Sequence, residues 1–223
     1  SVLVVERDVK AGGILQQCIH AGFGLKYFGE ELTGPEYAEK FEKMAEEQGI
    51  DIMSDTMALE IRDKVLVCSN RQGLNHIGFK SLVLAMGCRE RPRGALNIAG
   101  TRASGVMSAG TAQKYVNIDG YMPGKKVVIL GSGDIGLIMA RRMTLEGAKV
   151  LGVAELCAWS NGLNRNMVQC LDDYGIPLYL SHTVTKVVGK SRLEKVIISE
   201  VDECKRPIPG TEKEFDCDTL ILS

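Results

Sequence analysis

With 223 residues the chain is long enough for one large domain or two modest ones around a sizeable core. A formal net charge of −1 removes the electrostatic motive for binding DNA, RNA or an acidic membrane, and no apolar run reaches the roughly 18–20 residues that span a bilayer. The seven cysteines are scattered, odd in number and never spaced Cys-x-x-Cys, so neither a disulfide framework nor a sequence-local zinc motif is expected, and a reducing cytoplasm is the expected compartment.

Val2–Glu6 reads as a strand ending in an acid, followed by a turn at Gly12-Gly13. Thr33-Gly-Pro-Glu36 predicts a helix start, with Thr33 as cap and Pro35 where a missing N–H costs little; the helix should stop at Gly49, and Tyr37, Phe41 and Met44 mark its apolar face. Short β-prone runs follow at 50–53, 57–61, 65–68, 77–79 and 82–85, an antiparallel meander within an α/β pattern. Residues 88–124 form a connection holding Pro92 and Pro123, with a short helix at 108–116. After it, strands at 126–130, 149–154, 177–180, 183–188, 194–201 and 214–222 alternate with helices at 134–146 and 163–174, which predicts a parallel doubly wound sheet. Natural domains rarely begin and end inside buried strands, yet this chain opens on Val2–Val5 and stops within 219–222; a piece of a longer protein is expected over a small domain with terminal edge strands.

The strongest motif is Val127–Leu130 running into Gly131-Ser-Gly133-Asp134-Ile135-Gly136 and then directly into a helix. Gly131 permits the tight turn, Gly133 lets the backbone approach a pyrophosphate, and Gly136 lets the helix pack on the strand. The helix N-terminus, at Asp134 and Ile135, offers N–H groups and a positive dipole end to phosphates. Glu155 closes the next strand, 24 positions after Gly131, where an acid binds the ribose 2′-hydroxyl and repels a 2′-phosphate. NAD is therefore the expected cofactor, with NADH preferred over NADPH. A bare glycine turn with a surface glutamate would not require strand, helix, second strand and acid to follow in order.

The order of motifs resembles the two-dinucleotide-binding-domain flavoproteins of the pyridine nucleotide-disulfide oxidoreductase superfamily, in which an NAD(P) domain interrupts an FAD domain. Val2–Glu6 looks like the second FAD-domain strand, Leu82–Gly87 like the second flavin motif, with Met86 where threonine is usual, and Cys217–Ser223 like the strand that re-enters the FAD domain. Gly12–His20, Gly87–Pro92 and Gly131–Gly136 are similar to one branch, the bacterial FAD-dependent oxidoreductases akin to the alpha subunits of sarcosine oxidase. The resemblance implies a partial FAD-binding domain at 1–95, a Rossmann-like NAD(P)-binding domain at 96–218 and the start of the return at 219–223. It assigns FAD contacts to Glu6, Gly12, Gly13, Ala85, Met86 and Gly87. The first FAD strand and its glycine loop would precede Val2, so stoichiometric FAD, and turnover, are expected of the full-length protein rather than of this chain alone.

The implied activity is passage of hydride from NADH to FAD and on to an unidentified protein or small-molecule acceptor. The alternative class is a nucleotide-binding sensor or structural subunit of a dehydrogenase complex without turnover of its own. Dithiol–disulfide exchange needs a close cysteine pair and is set aside. Cys18 and His20 are the catalytic candidates, able to poise a flavin or handle a proton; a buried thiol and a hydrogen-bonded structural histidine are the competing explanation. The Arg89-Glu90-Arg91 cluster reads as a solvated turn. Trp159 and Asn161–Asn164 either border the adenosine or form a surface loop.

Overall fold

The computed structural model describes residues 1–223, which divide into two units, Ser1–Cys88 and Arg89–Ser223. The division falls earlier than the 95/96 boundary read from the sequence. Arg89–Leu96 belongs to the second unit by its own bonds: Glu90 accepts the Gly110 N–H with both carboxylate oxygens, and the Arg93 guanidinium donates to the carbonyls of Ile98, Ala99 and Thr101. Glu90 is thus a helix-start anion and not merely part of a solvated charged turn.

In the first unit β1 (Leu3–Val5) leads through the Gly12-Gly13 turn and a 3-10 helix (Gly13–Gln17) to β2 (Ala21–Phe23), α1 (Leu25–Phe28) and β3 (Leu32–Thr33). The long helix α2 (Gly34–Glu47) starts where the sequence placed it. Thr33 gives both its N–H and its hydroxyl to Glu36 at 2.8 Å, and Pro35 sits in the first turn. Its Tyr37 and Phe41 pack edge-on against each other and against Phe28, with Tyr27 also on Phe41. β4 (Asp51–Met53) pairs in parallel with β1, and β5 (Met57–Arg62), β6 (Val65–Asn70) and β7 (Gly73–Gly78) form the expected antiparallel meander. The strand expected at 82–85 is absent. Residues 80–92 carry no regular structure, no ladder partner pairs with them, and Val83 and Met86 lie exposed. A strand without a neighbour has no outlet for its backbone hydrogen bonds.

The second unit is a three-layer sandwich. Its middle is a wholly parallel sheet built from β9 (Val106–Ser108), β10 (Lys126–Leu130), β11 (Lys149–Glu155), β12 (Leu178–Leu180) and β16 (Thr219–Leu222), in the order β12-β11-β10-β16-β9. One face carries α3 (Ala109–Asn117), α4 (Asp134–Leu145) and α5 (Asn164–Cys170), over a core of Leu137, Met139, Ala140 and Met143 against Val127, Ile129, Val153 and Ile221. The other face is not helical, which corrects the doubly wound expectation. It is covered by a four-stranded sheet of β8 (Ala99–Gly100), β13 (His182–Gly189), β14 (Leu193–Glu200) and β15 (Lys213–Asp216), with Val184, Val187, Val196 and Ile198 packed on Val128, Ala154, Leu220 and Leu222. The burial pattern differs between the two layers. β11 and β16 are buried along nearly their whole length, as inner parallel strands are, whereas β14 alternates buried and outward residues.

The run 214–222 is therefore two strands rather than one. Asp218 takes the backbone N–H groups of Lys125 and Lys126, which breaks the ladder and carries the chain from the antiparallel layer into the parallel one. β16 lies between β10 and β9, so 219–222 is an inner strand of this unit's sheet and not an appendage beyond it.

Ile221 is fully buried between the helices and the sheet. Ile221→Ala should cost about 2–5 kcal/mol in urea unfolding, whereas Lys190→Ala on the exposed turn should stay within about 0.5 kcal/mol.

Candidate functional site

The site lies where β10 runs into α4. Leu130 ends the strand; Gly131 turns with φ +106°, in the left-handed region, and its N–H donates to Ala154 O at 2.7 Å. A Cβ on Gly131 would come within 2.4 Å of the Ser223 carbonyl oxygen, and one on Gly136 within 2.3 Å of Gly131 O. Both glycines are demanded by the protein's own packing. Gly133 is different. Its backbone, φ −65° and ψ 167°, is open to any residue, and a Cβ there would meet nothing within 4 Å. As the residue before α4 it also supplies no side-chain cap, although serine, threonine or aspartate would serve the helix better. The chain gains nothing internally from glycine at 133; what glycine provides is room for something outside the chain to reach the backbone N–H groups of Asp134, Ile135 and Gly136, which lack intrahelical partners.

The remaining members of the loop are tied down. Ser132 is fully buried, donating N–H and hydroxyl to Glu155 Oε2 at 2.9 and 2.6 Å, and its carbonyl accepts from Ser160 Oγ at 2.8 Å. Glu155 Oε1 accepts the Cys157 N–H at 2.9 Å. The Asp134 carboxylate is engaged by Leu163 N and Asn166 Nδ2 at 2.8 and 2.7 Å, so its charge is committed to the start of α5. Gly162 packs so closely on Ser132 and Leu137 that a Cβ would clash.

Glu155 is only 5% exposed. Burial pushes its carboxyl up; the Ser132 hydroxyl and the Cys157 and Ser132 N–H groups together outweigh that and hold it below the ordinary carboxylate value. The Ser132 N–H and hydroxyl and the Cys157 N–H take three of the carboxylate's roughly four acceptor positions, the Cys157 thiol adds a weaker contact, and the residue borders the cavity.

A cavity of about 620 Å³ opens at this point, within the roughly 300–1,000 Å³ usual for small-molecule sites. Gly131, Gly133 and Glu155 bound it from the parallel sheet, and Thr183, Val184 and Lys205 from the antiparallel layer. It sits at the carboxyl ends of β10 and β11, where the chain's progression outward through β11 and β12 leaves β16 on the other side of β10, the crevice in which open α/β sheets bind ligands. The structure therefore brings Gly131, Gly133, Asp134, Ile135, Gly136 and Glu155 together. Asn161 lines the same cavity, while Trp159 points outward, 63% exposed.

The flavin and catalytic candidates are placed one by one in the first unit. Glu6 follows β1 and accepts the Asp8 N–H at 2.8 Å. Gly12 and Gly13 both have positive φ, and a Cβ on Gly12 would strike Ala38 whereas Gly13 faces open space. That turn leads into a five-residue 3-10 helix, too short to present a long helix N-terminus to a diphosphate. Ala85, Met86 and Gly87 lie exposed in the irregular stretch. Cys18 is buried against Gly34. His20 Nδ1 lies 3.2 Å from Ala21 O, its ring is 5.3 Å from Phe23, and its Nε2 is buried without a hydrogen-bond partner. Sequence reasoning missed Ser132, Ser160 and Lys205. The first was in view, a small polar residue between two motif glycines; Lys205 has no local signal, standing 50 residues beyond Glu155.

The hydrogen cyanide synthase subunit HcnB of Pseudomonas aeruginosa is 25% identical over 99% of this chain and 50% of its own length, and an NADH oxidase of Methanocaldococcus jannaschii is 29% identical over 68% of this chain and 36% of its own. The chain spans about half the length of the first curated relatives it matches. The solved thioredoxin reductase of T. acidophilum superposes over the whole chain and 68% of its own with a TM-score of 0.70 at 20% identity, a likeness of fold alone. The family model for pyridine nucleotide-disulphide oxidoreductases matches residues 4–223, and the chain belongs to that family.

Proposed function

We propose that this chain forms the nucleotide-binding part of a flavoprotein oxidoreductase that takes electrons from NADH, through FAD, to an acceptor. The observation that carries the reading is Gly133, a glycine with no internal reason to be one, at the mouth of a cavity and the start of α4. The cofactors supply the hydride chemistry when bound. The chain's own part is to seat a dinucleotide: the N–H groups of Asp134, Ile135 and Gly136 face the pyrophosphate, and the Glu155 carboxylate at the cavity wall receives the ribose hydroxyl. Glu6, Gly12, Gly13, Ala85, Met86 and Gly87 are proposed flavin contacts in the whole protein. The similarity to an NADH oxidase supports the general activity, and the similarity to a synthase subunit supports work within a larger assembly. Flavin reduction by NADH in the full-length protein separates this reading from a nucleotide sensor without turnover.

Gly133→Val should abolish binding of NADH and NADPH in calorimetric titration while costing only about 1 kcal/mol of stability, since its backbone is in the β region and its side chain meets open space. Normal binding by this variant would remove the loop as the phosphate site.

Wild-type chain should bind NADH more tightly than NADPH, because Glu155 is ionised across the neutral range. The same carboxylate stabilises the fold. Its folded pKa lies below the unfolded value of about 4.3, so its contribution is complete above that pH and is lost as pH falls through the folded value. Glu155→Gln should therefore lower unfolding stability at pH 7 by about 1–3 kcal/mol, with the gap to wild type closing below about pH 4. A gap that widens on acidification would contradict the assignment.

A further inference from the structure

Among the residues lining the cavity there is one cation, Lys205, and it comes from the antiparallel layer rather than from the glycine loop. It stands in a tight turn between β14 and β15. Val201 pairs with Pro207, Asp202 N donates to Arg206 O, Lys205 N donates to Asp202 O, and Asp202 Oδ1 accepts the Arg206 N–H. The turn places Lys205 at φ +63°, a conformation that glycine or asparagine adopts at less cost. The long side chain crosses to the parallel sheet, where Nζ donates to Leu156 O at 3.0 Å, one residue past Glu155. A neutral carbonyl uses one of the ammonium's three donors. Two remain, at the end of β11 where a dinucleotide's adenosine ribose is expected.

The mouth of the cavity thus holds opposed charges. Glu155 is buried, fixed by three donors, and its charge is partly met by their dipoles. Lys205 is exposed, on a flexible stem, with one weak tether. A ribose 2′-hydroxyl needs only the acceptor; a 2′-phosphate is repelled by the acid and attracted by the ammonium. We propose that Lys205 is a specificity-determining residue, which leaves the Leu156 carbonyl to bind the 2′-phosphate of NADPH, so that NADPH remains a usable second cofactor and the preference for NADH is modest. This rests on the dinucleotide reading of the cavity.

The test is calorimetric titration of the 223-residue chain with NADH, NADPH, 5′-AMP and 2′,5′-ADP, the last two isolating the 2′-phosphate from nicotinamide and flavin. Lys205→Met should weaken NADPH and 2′,5′-ADP by about tenfold or more, the worth of one charge-assisted hydrogen bond, and change NADH and 5′-AMP by less than about twofold. Lys205→Arg should retain NADPH binding. Lys205→Gly, which suits the left-handed backbone, should behave as Lys205→Met does and guards against a folding defect in the latter. Equal weakening of all four ligands, or no change in any, overturns the assignment to Lys205 while leaving the nucleotide site in place. Failure of wild type to bind either dinucleotide overturns the site itself and this inference with it.

Discussion

Ser223 lies against Gly131 so closely that no side chain fits between them, and much of the second unit follows from that approach. It requires β16 to run beside β10, in register from Thr219 opposite Val127 to Leu222 opposite Leu130. It requires a glycine at 131, which alone takes φ +106° at little cost, and with Gly136 it lets α4 begin immediately above the strand ends. The Ser132–Glu155 bonds then lock the turn to the end of β11, so three parallel strands and one helix meet at a single small loop. A cavity at such a junction is walled by backbone held in several directions at once, the preorganisation that binding of a charged group favours.

The antiparallel layer completes the cavity. Covering the second face with strands instead of helices brings the start of β13 and the turn after β14 over the ends of β10 and β11, and supplies Thr183, Val184 and Lys205. The same layer buries the apolar face of the parallel sheet, so stability and site construction share the residues between Val184 and Ile198.

What was legible in the sequence was what is local in the fold. Val127–Gly136 encodes strand, turn and helix within ten residues, and Glu155 is found by counting one helix and one strand onward. Thr33 and Glu36 announced α2 because capping is a three-residue affair. What was not legible depended on partners distant in sequence. The break in 214–222 is made by Asp218 bonding Lys125 and Lys126, more than 90 residues away, and nothing in the run Phe215–Leu222 announces it. Leu82–Ala85 has the composition of a strand, but composition cannot supply a neighbour, and none pairs with it. The identity of the layer on the second face was likewise invisible, because alternating strands read alike whether they extend a sheet or pack upon one.

Glu155 both lines the cavity and holds the glycine turn. A carboxylate that accepts three bonds from its own chain cannot rotate to suit a ligand, so its field at the cavity mouth is fixed. A fixed charge cannot be moved away from a ligand group that it repels. The bonds that orient the acid are also the bonds that hold the glycine turn. Removing the carboxylate would loosen the glycine turn as well as change the charge of the cavity wall. A cation on an exposed hairpin carries no such penalty: Lys205 is tethered to one carbonyl, and changing it leaves the Ser132–Glu155 bonds intact. The buried anion belongs to the fold, and the exposed cation stands on the opposite wall of the cavity.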